Sequence, residues 1–320
     1  MDSAICTLFE GSYHYGVAVL INSSYNNGFR GNFFVGYKGA LPSWANQGTL
    51  VNLGNWNGAT VLKVKEGLSV YFLPLNTKKH LTNYKPDFML DLFMNASTKS
   101  EILFYLDPDI VVNAPVGYLE NWTTCGVAVA EDLNSPLQEL HPRRVSWRKY
   151  FKDYNIDLRF KNPIYVNGGF IGITRHQIEY LQIWKDIQEK MSAAIGGLDK
   201  SIFSEKPKAQ FYGDFDPFSK TDQDAMNAAV EVYNGNISFA GKEAMGFENG
   251  LITIPHALGA AKPWSISPFR LFFKGIKPRM VDKLFWNQAS GPLQPFTGKK
   301  IKIMKFQLLI WSFLVRFYSK

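Results

Sequence analysis

The sequence predicts an α/β protein built on one mostly parallel sheet, and three observations carry that prediction. Short apolar runs of strand length alternate with segments of helical period up to about residue 264. The first of them, AICTLF (4–9), YHYGVAVLINSSYNNG (13–28) and GNFFVGY (31–37), read strand, helix, strand with short connections, the start of a βαβ unit. The 320 residues are 46% hydrophobic and only 19% charged, which is enough apolar mass for a sizeable core and excludes global disorder.

Each element has its own local signal. In 13–28 the apolar positions Val17, Leu20 and Ile21 share a helix face, and Gly28 is a stop. Residues 38–58 are rich in Gly, Asn, Trp and Pro and read as a loop. ATVLKV (59–64) and LSVYFLP (68–74) read as strands. YKPDFMLDLFMNA (84–96) repeats Phe88, Leu92 and Phe93 with Pro86 near its start, so a helix is expected. ILFYL (102–106) is a strand and IVV (110–112) another short one, while CGVAVA (125–130) is small and apolar. Residues 131–163 are highly charged and variable in character, with a helix near 145–154. YVNGGFIGI (165–173) reads as a strand interrupted by Gly168 and Gly169, followed by a helix over 173–191. TDQDAMNAAVEVY (221–233) is a helix capped by Thr221 or Asp222. LITIPHALGAAKPW (251–264) reads as a strand running into a turn. The expected division is one domain over 1–264 and an extension over 265–320, irregular to 298.

The net charge of +8 favours an anionic partner: nucleotide phosphates, nucleic acid or an anionic membrane. No helix-turn-helix, zinc-finger or RNA-binding signature occurs, so nucleic acid is set aside. Cys6 and Cys125 lie in no metal-type spacing and flank apolar runs, as reduced core cysteines of a cytosolic protein would. MDSAICTLFEG lacks a basic segment followed by a long apolar one, so no signal peptide is expected. No apolar run reaches about 18 residues, so no spanning helix is expected either. A cytoplasmic location follows.

The chemistry concentrates at ILFYLDPDIVV (102–112). Asp107 and Asp109 stand at the end of a buried strand, where open α/β sheets bind their ligands. Pro108 keeps the segment extended or turning. Two carboxylates one residue apart on a strand point the same way and make a hard oxygen site for Mg²⁺ or Mn²⁺. The alternative is a solvated turn, although such a turn has no need of the apolar ILFYL before it.

FYLDPDIVV resembles the Asp-x-Asp motif of nucleotide-sugar glycosyltransferases with the GT-A fold, and other segments agree in order. TDQDAMN is similar to the Asp-Gln-Asp helix start of the glycosyltransferase 8 group, which includes glycogenin and lipopolysaccharide galactosyltransferases. HALGAAKPW matches that group's His-x-x-Gly-x-x-Lys-Pro-Trp signature, the most specific of the set, and the resemblance covers roughly 3–264.

The resemblance implies a GT-A domain that transfers a hexose from a nucleotide sugar, UDP-linked, with retention, to a glycan, lipid-linked or other hydroxyl acceptor. It implies His256 as a third metal ligand beside Asp107 and Asp109, and imidazole suits Mn²⁺ better than Mg²⁺. Gly259 would admit a phosphate close to the backbone, and Lys262 would place a cation on the diphosphate. Asn167, Gly168 and Gly169 would lie beside the donor sugar. Lys85 would reach the donor, in place of an arginine common in the family, and lysine cannot make the same bidentate contacts. Of Asp222 and Asp224, one would bind sugar hydroxyls, with Gln223 near the anomeric carbon; the plain alternative is a capped helix start with acidic first-turn residues. Thr7 to Glu10 would lie near the nucleobase, and Tyr13 would stack on it. Acceptor contacts are expected from 131–163 and 196–220.

Two other functions are weighed. A sugar-phosphate nucleotidyltransferase would need a Gly-rich N-terminal loop, which SAICTLFEGSYHYG lacks. A non-catalytic carbohydrate-binding protein would have no need of complete metal and phosphate segments. Finally, KKIKIMKFQLLIWSFLVRFYSK (299–320) places four lysines before an aromatic-rich apolar run, a composition that suits the interface of an anionic membrane. A terminal helix packed on the domain is the alternative.

Overall fold

A computed structural model describes residues 2–201 and 217–318. Among them a nine-stranded sheet has the order β3-β4-β5-β2-β1-β6-β8-β7-β9. Its strands are β1 Ser3–Glu10, β2 Gly31–Lys38, β3 Thr49–Leu50, β4 Thr60–Lys65, β5 Leu68–Pro74, β6 Ile102–Leu106, β7 Val127–Ala130, β8 Phe170–Thr174 and β9 Ile237–Ala240. β5, β2, β1 and β6 pair in parallel, as do β7 and β9, while β4 and β8 run the other way. The mostly parallel sheet expected from the βαβ alternation is present.

Alternation along β1 separates two cores. Cys6 and Leu8 face a layer containing α2 (Lys85–Asp91), α5 (Ile178–Ile195) and α6 (Thr221–Val232), where Phe88, Trp184 and Met226 are buried. Ile5 and Phe9 face α1 (His14–Asn26) and α3 (Val116–Thr123), against Val17, Leu20 and Leu119. Sheets covered on both faces read as near-continuous apolar runs, which is why ILFYL is buried throughout. Outside α1, a third cluster gathers Val19, Trp264, Phe285, Trp286, Leu308 and Trp311. It joins α8 (Met280–Gln288) and α9 (Gly298–Tyr318) to the body, and α7 (Pro268–Phe273) packs against α9.

Strand direction positions the site. β1, β6 and β7 all end at one edge of the sheet, at Glu10, Leu106 and Ala130. β8 is antiparallel to β6, with Phe170 opposite Leu106, so its beginning meets their ends. The Asn167–Gly169 segment and Asp107 therefore converge, and Asp107 N donates to Gly169 O at 2.8 Å.

Several expectations are corrected. The 251–264 segment is not a strand; it contributes one isolated bridge, His256 to Ile110, and the expected strand at 110–112 reduces to that same bridge. The 265–298 stretch holds α7 and α8 rather than irregular chain. β8 starts at Phe170, after the glycines, because residues 165–167 instead tie to Glu131 and to the backbone beyond β7. The helix near 145–154 is α4, Pro142–Lys152. The 84–96 helix loosens into a π turn at Leu92–Ala96. The 38–58 loop includes β3. Cys6 is buried as expected, but Cys125 is exposed, at the turn into β7. Among the described residues no helix is long and apolar enough to cross a membrane.

Candidate active site

The carboxyl edge of the sheet opens into a cavity of about 570 Å³, the size of a small-molecule site. Every site residue expected from the sequence lines it except Thr7 and Asp224.

The Asp107–Pro108–Asp109 turn is closed by Ile110 N donating to Asp107 O at 3.0 Å. α1 supports it from below at Gly16, where a Cβ would lie 2.1 Å from the Pro108 carbonyl oxygen, so only glycine permits this approach. Residues 253–257 run alongside 109–113, with Val111 N to Pro255 O at 3.1 Å and Ala257 N to Asp109 O at 3.0 Å. This pairing delivers His256 to the aspartates: its Nε2 is 3.1 Å from Asp109 Oδ1 and 3.9 Å from Asp107 Oδ2. One ligand atom from each of the three lies within 4.8 Å of the other two.

The tautomer that metal binding needs follows from Asn167. Its Nδ2 donates to Asp132 Oδ2 at 2.6 Å, which fixes the amide so that Oδ1 faces His256 Nδ1 at 3.1 Å and accepts from Gly169 N at 2.9 Å. An Nδ1–H donated to Asn167, the usual kind of second partner of a metal-binding histidine, would leave the Nε2 lone pair for a bound metal. A Cβ on Gly169 would stand 2.6 Å from the imidazole, so glycine is needed there. Two carboxylates and one imidazole of the correct tautomer fit a divalent ion such as Mn²⁺.

Two lysines neutralise the acids. Lys262 Nζ donates to Asp109 Oδ2 and, at 2.9 Å, to Ala257 O. Burial opposes ionisation of Asp109, yet His256 and Lys262 hold its carboxyl well below the usual range. Lys85 is buried and donates to Gly168 O at 2.8 Å and Asp222 Oδ2 at 3.0 Å, with Asp107 Oδ1 at 3.1 Å. Burial alone would lower its pKa, but Asp107 and Asp222 outweigh it and the net shift is upward. Tyr105 Oη donates to Asp107 Oδ1 at 2.8 Å.

At the start of α6, Gln223 Oε1 accepts from Gly168 N at 3.0 Å. Its Nε2 is buried and has no hydrogen-bond partner among the described residues, and Gln223 as a residue borders the cavity. Asp224 turns the opposite way. It is fully buried, accepts from Tyr165 Oη at 2.7 Å and Lys220 N at 2.7 Å, and anchors the helix start. Burial pushes its carboxyl up to about 7, against the opposing pull of Arg143 and Tyr165. Thr7 alternates with Ile5 and Phe9 into the α1 layer, where its hydroxyl is buried short of the cavity. Tyr13 borders the cavity with its ring edge-on to Trp264 at 5.4 Å.

Sequence reasoning did not single out His80, Thr82, Asp132 or Lys220, which also line the cavity, and it named Glu10 only within a segment near the base. Asp132 was within reach of the strand-end rule, since it stands two residues beyond β7 as Asp107 stands one beyond β6. His80, whose imidazole accepts from Thr82 N, had no such signal. Of the expected acceptor regions, 202–216 lie outside the described residues.

No family model and no curated protein matches the chain. Solved structures do. The bifunctional glycosyltransferase WbbM, in an apo structure, aligns with TM-score 0.53 and 14% identity over 95% of this chain and 52% of its own. The galactosyltransferase LgtC, in complex with donor and acceptor sugar analogues, aligns with TM-score 0.52 and 15% identity over 94% of this chain and 99% of its own. The chain has the GT-A fold. It spans about half the length of WbbM and nearly all of LgtC. The GT-A sheet accounts for the edge at which the acidic pair, the 165–169 segment and the start of α6 meet.

Proposed function

We propose that the chain is a metal-dependent glycosyltransferase that moves a hexose from a UDP-linked sugar to a glycan or lipid-linked hydroxyl, with retention. The observation that carries this reading is the convergence of Asp107, Asp109 and His256 beside Lys262 in the cavity at the sheet's carboxyl edge. The likeness of fold to WbbM and LgtC, the latter holding donor and acceptor sugar analogues, supports it.

Asp107, Asp109 and His256 would hold Mn²⁺ or Mg²⁺, which when bound supplies a Lewis acid for the leaving diphosphate. Lys262 adds a cation where negative charge develops, and Gly259, with open space around it, admits phosphate oxygens to the backbone. Lys85 fixes Asp222 and the Gly168 carbonyl, so the sugar hydroxyls meet a pre-set acceptor. Gln223 offers its unpartnered Nε2 toward the sugar, and Tyr13 offers a ring to the base. Asp224 serves by anchoring the start of α6. Residues 1–264 form the catalytic domain and 265–320 an extension.

The extension supports a peripheral, cytoplasmic-face reading. α9 buries Ile301, Met304, Leu308, Trp311 and Val315 on one stripe and exposes Phe306, Leu309, Phe313 and Phe317 on another. Lys299, Lys302 and Lys305 are exposed beside that second stripe. An anionic membrane bearing a lipid-linked acceptor would match it.

The test is donor hydrolysis across UDP-, GDP-, dTDP- and CMP-sugars, with Mn²⁺ and with EDTA. Metal-dependent release from one UDP-sugar is expected. Absence of both cleavage and Mn²⁺-dependent nucleotide binding would overturn the reading.

A further inference from the structure

The loop 258–262 borders the cavity through Leu258, Gly259 and Lys262, yet it belongs to no helix or strand. A phosphate-facing loop of this kind needs something to hold it. Arg279, the N-cap residue just before α8, reaches across to it. Its Nη1 donates to Leu258 O at 2.8 Å and its Nη2 to Ala261 O at 2.6 Å. The guanidinium is itself aimed by Asp282, which accepts from Nε at 2.9 Å and from Nη2 at 2.7 Å. Asp282 is buried, while the Arg279 side chain is half-buried. The planar fork of arginine suits the task, because two carbonyls and a carboxylate are engaged at once.

The consequence follows from peptide planarity. A trans peptide points its N–H opposite its C=O. Fixing the Leu258 carbonyl toward Arg279 turns the Gly259 N–H away from Arg279, and Gly259 borders the cavity. Fixing the Ala261 carbonyl sets the plane from which Lys262 departs, and Lys262 carries the ammonium that meets Asp109. Arg279 does not line the cavity.

We propose that Arg279 is a positioning residue for the donor's diphosphate, acting through the Leu258 and Ala261 carbonyls on Gly259 and Lys262. This rests on the glycosyltransferase reading. It assigns to the start of α8 a part in binding that the motif HALGAAKPW does not contain.

The test is titration of the full chain with UDP plus Mn²⁺, and separately with uridine. Arg279→Ala is expected to weaken UDP by about tenfold or more, as loss of an orienting outer partner does, while uridine affinity holds. Asp282→Asn loosens the aim of the guanidinium but leaves the residue that reaches both carbonyls in place, so it should weaken UDP less than Arg279→Ala does. Arg279→Lys, which cannot span both carbonyls, should fall between wild type and Arg279→Ala, and it carries the test if Arg279→Ala does not fold. The proposal is overturned if UDP and uridine weaken by the same factor, or if Arg279→Ala binds UDP as wild type does. Wild-type protein that binds no UDP would overturn the glycosyltransferase reading along with it, whereas wild-type binding with an unaffected variant overturns this inference alone.

Discussion

Lys262 donates to the Asp109 carboxylate, joining two stretches of chain 153 residues apart at one point of the cavity. The same carboxylate faces His256 on its other oxygen. One small acidic centre is thus shared by the turn after β6 and the segment 256–262. Its chemistry depends on tertiary contacts that hold both.

The acidic pair should be indispensable for turnover and dispensable for folding. Asp107→Asn is the cleaner variant, because Asp107 is more exposed than Asp109. Mn²⁺-dependent donor cleavage should fall by about a hundredfold or more, with the melting curve retained. Removing the metal from wild type with EDTA should produce the same loss. Full activity in Asp107→Asn, measured by released nucleotide, would remove the metal from the scheme.

Lys85 should matter for stability as well as for binding. Its ammonium is buried between Asp107 and Asp222. Lys85→Ala leaves both acids without it and should cost roughly 3–5 kcal/mol in urea unfolding. A Lys85→Met/Asp222→Asn double variant should recover part of that, since one of the stranded charges is gone.

Asp224 predicts a pH dependence. Its folded carboxyl, raised to about 7 by burial, lies above the ordinary value of about 3.9 for an unfolded aspartate. The stability linked to it is therefore complete below about pH 4 and is lost as pH rises through about 7. Between pH 5 and 8, wild type should lose roughly 3 kcal/mol relative to Asp224→Asn, which does not titrate and whose single amide oxygen can accept from only one of Tyr165 Oη and Lys220 N. Denaturant titrations of both proteins at the two pH values check this, and parallel curves would refute it.

The exposed stripe of α9 should bind lipid. Vesicles rich in anionic lipid should co-sediment with wild type at low salt and release it at high salt. Phe306→Glu/Leu309→Glu/Phe313→Glu should weaken that binding by about tenfold or more. Its donor cleavage without lipid should be unchanged, because these side chains are exposed on the side of α9 opposite its packed stripe. Equal sedimentation of both proteins would return the stripe to an ordinary surface.

The sequence by itself determined the βαβ start, the acidic turn after ILFYL, the helix over 221–233 and the basic, aromatic-rich character of α9. Each of these is written in local periodicity or a strand-end charge, so neighbouring residues suffice to express it; the cap expected at Thr221 or Asp222 is not formed, because Lys220 takes the N-cap position and makes no side-chain cap. The ligand set came from the resemblance rather than from local pattern, since an Asp-x-Asp alone is common; what the fold adds is that Asp107, Asp109 and His256 come together.

Tertiary structure alone decided the rest. β8 runs antiparallel between β6 and β7, and that direction brings Gly168 and Gly169 to Asp107; nothing in YVNGGFIGI specifies its partners. Asp222 and Asp224 look alike in sequence, yet one meets Lys85 at the cavity and the other is sealed against Tyr165. Two positions apart on a helix they point to nearly opposite sides, and α6 docks so that one side meets the cavity and the other the core. α8 escaped the pattern because its apolar side is completed by α1, distant in sequence, together with α9. Arg279 was invisible for the same reason: its partners are carbonyls, which every residue carries, and only the folded path of the chain selects which two it holds.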